Sequence, residues 1–183
     1  MKRHLIAAIV LTAGLAAVPA YAQDAPAANA PAANAETCEF LWPLETEMGW
    51  MRAAEAEKAA SGATLARLPD DKAVELALKP TSEVAFPVKP TRTPKAGDAK
   101  TFGGFVNVET AEAAHVQVTL SAHAWIDVVQ NGKPLEATAH TGAMGCPVAR
   151  KSVRFEVGAG PLTIQLSGAD TETIRIAVRP AAD

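Results

Sequence analysis

Three side chains in the middle of this chain have the chemistry to hold an iron ion. His123, Asp127 and His140 supply the two imidazoles and one carboxylate of a non-haem iron site. No tight His-x-Asp or His-x-Glu pair fixes any two of them locally, so separate surface or structural histidines are the simpler expectation. A second set, His140, Met144 and Cys146, carries the donor types of a blue-copper centre. That centre needs a free thiolate and another histidine. Cys146 is instead expected to pair with Cys38, because two cysteines allow one connectivity and neither has a Cys or His partner at metal-ligand or Cys-x-x-Cys spacing. No cofactor is assigned.

Nucleophilic chemistry has less support. There is no Gly-x-Ser-x-Gly turn. Ser121, His123 and Asp127 share one strand or its lead-in, where they cannot line up as a relay. Gly103-Gly104 sits at a strand entrance, where a bulge or close packing is expected rather than a phosphate cradle. Arg150, Lys151 and Arg154 form a basic cluster. Such a cluster can grip a carboxylate or phosphate, but guarding an edge strand is the commoner use of these charges. Met48 and Met51 are spaced for one face of a helix, where core packing is expected rather than a thioether metal site. The best place for a ligand is the long stretch 131–150 and its border, with His140, Met144, Arg150 and Lys151 as candidate contacts. Cys146 would staple that stretch to the N-terminal helical segment.

The elements that must position these groups follow from periodicity. Residues 1–22 read as a secretory signal: Lys2 and Arg3, an apolar run over 5–18, and Ala20-Tyr21-Ala22 as the cleavage site. Lys2 and Arg3 are its only charges, so cleavage takes 17 basic residues to 15 against 20 acidic ones, and net charge from −3 to −5. That balance gives no reason to expect nucleic acid or anionic lipid as partner. No later stretch approaches the run of about 20 apolar residues that crosses a bilayer, so no membrane insertion is expected after cleavage. The compartment is therefore expected to be periplasmic or extracellular. Residues 23–36 repeat an Ala-Pro-Ala-Ala-Asn unit and read as a flexible linker.

A single domain is expected over 37–180. It opens with a helix at about 43–60, with Pro43 at its start, Glu45 and Glu47 in its first turn, and Ser61-Gly62 as its stop. Beyond about residue 72 the apolar residues alternate instead. Val74, Leu76 and Leu78 do so, as do Val116, Val118 and Leu120, and the series closes on Ile174, Ile176 and Val178. Asn131-Gly132 marks a hairpin. Roughly seven to nine short strands with no helix between them define a mainly β fold, an antiparallel β-sandwich with one N-terminal helix.

Residues 124–133 (AWIDVVQNGK), Cys146-Pro147, 150–155 (RKSVRF) and 160–168 (GPLTIQLSG) carry a resemblance. Together they resemble a group of small exported bacterial proteins of uncharacterised function, some labelled homogentisate 1,2-dioxygenase. The strand pattern is similar, more loosely, to the pre-peptidase C-terminal modules that accompany secreted enzymes. The dioxygenase label implies a two-His-one-Glu iron site on a cupin-like fold. No cupin-type His-x-His pair maps onto this sequence, so no catalytic residue is carried over. The resulting expectation is an exported, non-catalytic accessory or binding module of the cell envelope, whose partner is a protein, a glycan or a small polar ligand. A metal-dependent enzyme and a purely structural envelope protein are the alternatives.

Overall fold

The computed structural model of the chain describes residues 38–67, 69–92 and 100–181. The expected signal and linker, 1–22 and 23–36, lie outside them. Among the described residues one α-helix, α1 (Glu45–Arg52), is followed by twelve strands. The first four are short: β1 (Glu57–Ala60), β2 (Ala63–Leu65), β3 (Val74–Ala77) and β4 (Lys79–Pro80). A single 3-10 turn over Thr81–Glu83 precedes β5 (Phe102–Thr110), β6 (Ala114–Leu120) and β7 (Trp125–Gln130). Then come β8 (Lys133–Pro134), β9 (Ala137–Gly142), β10 (Lys151–Val157), β11 (Gly160–Ala169) and β12 (Thr173–Pro180).

These form two six-stranded sheets. Sheet A runs β1-β3-β12-β6-β10-β9 and sheet B runs β2-β5-β11-β7-β8, with β4 beside β5. The period-two pattern sorts each strand into an inner and an outer row. Val153, Phe155 and Val157 of β10 meet Ile164 and Leu166 of β11, Val118 and Leu120 of β6, and Ile174 and Ile176 of β12 in one apolar layer between the sheets. The chain is a mainly β sandwich with one helix, as the alternation requires. Seven strands of six or more residues carry it, and five shorter ones fill its margins.

The short strands depart from expectation. Residues 57–60 are a strand, not the end of a helix: Glu57 to Ala60 lie parallel to Val74 to Ala77. Helix α1 stops at Arg52, because eight residues with Gly49 in the middle have little intrinsic helicity. The Ala-Glu run beyond it gains more from a sheet edge. Ser61-Gly62 is then a corner rather than a helix stop. The chain leaves sheet A after β1 and enters sheet B as β2, parallel to β5, through Gly62 at φ +93°, a conformation glycine adopts without strain. The Gly62 amide bonds the Phe105 carbonyl at 2.7 Å, which pins the crossing.

Residues 84–92, whose Val84 and Phe86 keep the spacing of a strand, are instead an irregular strap across the outer face of sheet B. Pro87 and Pro90 remove the amides a ladder would need. Side chains replace that ladder. The Gln165 amide exchanges two hydrogen bonds with the Val88 backbone, each 3.1 Å, and Ser167 donates to the Arg92 carbonyl at 3.3 Å. Phe86 rests on Gly103, where an added Cβ would lie 2.9 Å from the ring. Close packing, one of the two roles expected of that glycine pair, is what Gly103 provides.

The outer face of sheet A is covered by α1, held through a Cys38–Cys146 disulfide. Met51, Met48, Trp50 and Phe40 pack with Ala73, Ala149 and Ala177 in a second, smaller apolar cluster around the bridge. Both methionines therefore serve packing. Glu47 does not face solvent at the helix start. It is fully buried against the sheet, accepting a hydrogen bond from Gln117 Nε2 and lying 3.6 Å from the Arg179 guanidinium.

Candidate functional site

The two sheets do not close on one another along one side. Strand β8 pairs only Val129 and Gln130, so the first half of β7 is left as a free edge of sheet B. Sheet A ends opposite it on β9. Between these edges lies a cleft of about 530 Å³. Its floor is the margin of the core: Ile126, Leu135, Val153 and Phe155. Its rim is polar, with Arg92 and Thr91 from the strap, Asp127 from β7, Glu136 and His140 from β9 and its lead-in, and Lys151 from β10.

Trp125 organises the rim. The Arg92 guanidinium carbon stands 4.1 Å from its ring centroid and the Lys151 ammonium 4.3 Å from it. Two cations thus share one indole, the aromatic ring whose quadrupole attracts cations best. Lys151 is half-buried and donates to the Ala124 carbonyl at 3.2 Å. Burial lowers its pKa from the ordinary lysine value; the Arg92 charge lowers it further, and Asp127 pulls the other way. Asp127 is only 5% exposed and already engaged, accepting from the Thr91 amide at 3.1 Å and from the Thr91 hydroxyl. Among the described residues, no carboxylate lies within ion-pair distance of Lys151 or Arg92. A cleft with an apolar floor, a few converging polar groups and one perturbed amine fits the usual description of a ligand site.

The structure divides the residues that the sequence grouped. Asp127 and His140 line the same cleft, while His123 is exposed in the turn before β7 and does not line it. Among the described residues no three His, Cys, Asp or Glu side chains lie close enough to hold a metal ion. Cys146 is in the disulfide, so the His140, Met144 and Cys146 set lacks its thiolate. The basic cluster splits by strand alternation. Lys151 faces the cleft, and Arg154 turns to the outer face, over the Trp42 ring at 4.3 Å and bonded to Gln117. Arg150 donates to the Ala143 carbonyl at 3.4 Å. Nor does the cluster guard an edge, because β10 lies between β6 and β9. The stretch 131–150 is not a plain loop either: it contains β8 and β9, and His140 sits on β9 opposite Val153. Met144 stays 86% exposed, away from the cleft.

Arg92, Trp125 and Leu135 are contacts that no sequence pattern singled out. Arg92 lies 33 positions before Trp125, and only the strap's path over sheet B brings them together.

Comparison with family models, curated proteins and solved structures finds no match to this chain. Among the described residues no helix is long and apolar enough to cross a membrane.

Proposed function

We propose that this protein is an exported, non-catalytic binding module of the cell envelope, periplasmic or extracellular, whose ligand enters the cleft between β7 and β9. The observation that carries this reading is the Trp125 rim, where Arg92 and Lys151 converge above an apolar floor. The signal-like residues 1–22 and the disulfide both favour an oxidising compartment outside the cytoplasm. The one hydroxyl–carboxylate pair among the described cleft residues, Thr91 with Asp127, ties the strap to β7. Asp127, the one buried carboxylate there, is spent on fixing the strap.

The test is a chemical-shift screen of the labelled domain against a mixed library of anions, neutral amphiphiles and short sugars. Binders are expected to move the backbone amides of Ile126, Leu135 and Ala137. A library in which no compound moves those amides would overturn the reading, as would steady chemical turnover of any compound that does.

A further inference from the structure

The geometry points to a small organic anion as the ligand of this cleft: one carboxylate-type head held by the cationic rim of Arg92 and Lys151, with a short aliphatic body on Leu135 and the floor around it. The inference rests on the proposed binding role and adds the class of molecule.

Its first support is charge. An ammonium and a guanidinium against one indole repel each other, and the indole attracts both without neutralising either. An anion bound at that rim offsets the repulsion and gains charge-assisted hydrogen bonds from the free donors of either cation. Lys151 already spends one donor on the Ala124 carbonyl, which fixes the direction of the amine and leaves two for a ligand. The second support is the floor. Leu135 and, more narrowly, Ile126 and Val153 line it with aliphatic carbon over the buried Phe155, with no polar side chain among them. A hydrated inorganic ion gains nothing from that surface, whereas a hydrocarbon chain does. The third is the fate of the negative groups. Asp127 is bound to Thr91, so it does not compete for the cations at close range. A cationic or sugar-like ligand would need free acceptors there, and the cleft provides Glu136 and His140 only at its outer lip.

Hexanoate, neutral hexanamide and hexylammonium are the probes, titrated separately into the labelled domain at pH 7. Hexanoate is expected to move the cleft amides and to bind at least ten-fold tighter than either of the others. Its affinity is expected to fall about ten-fold in Lys151→Met and in Arg92→Gln, with well-dispersed spectra showing that both variants are folded. Binding is also expected to take up protons as the pH approaches the lowered pKa of Lys151, because a bound anion favours its charged form. Calorimetry in two buffers of different ionisation heat reads that uptake. Equal or reversed preference among the three probes would overturn the inference while leaving the cleft a binding site. If none of them moved a cleft amide, the inference would fall, and the binding role would stand or fall separately on the library screen.

Discussion

Opening the Cys38–Cys146 bridge is the most quantitative perturbation the fold offers. The bridged residues are 108 positions apart. In the chain-entropy treatment a loop of that length removes about 16 cal/mol/K from the unfolded ensemble, which is about 4.8 kcal/mol at 25 °C. Little of this should be offset by native-state rearrangement. Phe40, Met48 and Trp50 still have Ala149 and Ala177 to pack against when the sulfurs are replaced. Replacing both cysteines with serine and unfolding in urea is therefore expected to lower stability by about 4 to 5 kcal/mol. With a slope near 2 kcal/mol/M, the midpoint falls by about 2 M. The slope itself is expected to rise, since an unfolded chain without the cross-link exposes more surface. Amide exchange separates global from local loss: protection is expected to drop together in β6, β10 and β12. A loss below about 1 kcal/mol, or exchange confined to 38–53 over an intact sandwich, would refute the view that the bridge constrains the whole domain.

The buried carboxylate beneath α1 gives a second test. Glu47→Ala leaves Gln117 without its acceptor and Arg179 without its counter-charge. The expected loss is about 2 to 3 kcal/mol by urea unfolding, under the range for a fully buried pair because Arg179 keeps some solvent. Glu47→Gln retains an acceptor and is expected to cost less than half of that. Asp127→Ala removes both bonds to Thr91 and should cost about 2 kcal/mol, with faster exchange at Val88 and Thr91 but not at Val128 or Ile164. Lys151 sets a pH dependence. Because its folded pKa is lowered, the unfolded chain holds the extra proton across a window ending at the ordinary value of 10.5, so this group's contribution to stability rises with pH through that window. Urea midpoints of the wild type and Lys151→Met at pH 7, 8.5 and 10 are expected to converge or cross as pH rises. A constant offset between them would contradict the burial argument.

What was legible in the sequence was whatever alternation alone could encode. Strands β6, β10, β11 and β12 bury every second residue against the opposite sheet, so their apolar rows show in one dimension. The margins were not legible, for a physical reason. Strand β9 reads Ala-Thr-Ala-His-Thr-Gly, with no large apolar residue, because it lies at the sheet edge where its inner side faces the cleft rather than the core. Residues 57–60 carry helix-favouring Ala and Glu, yet their place is decided by the vacant edge of β3, which no local propensity reports.

The cleft was half legible for the same reason. Lys151 and His140 stood out by type, and Asp127 by being the one charge in an otherwise apolar strand. That carboxylate suggested a ligand site, but its real work is on the opposite account. It replaces a missing strand by holding the strap with its two oxygens, as Gln165 and Ser167 do with their polar groups. The strap in turn delivers Arg92 to Trp125. A buried acid that looks catalytic in sequence is here the anchor through which a distant cation reaches the site. Asp127→Ala should for that reason weaken hexanoate binding even though the substitution removes a negative charge from the cleft. Simple electrostatics predicts the reverse, tighter binding once the acid is gone, so the direction of the change decides between an anchoring and a charge role for Asp127.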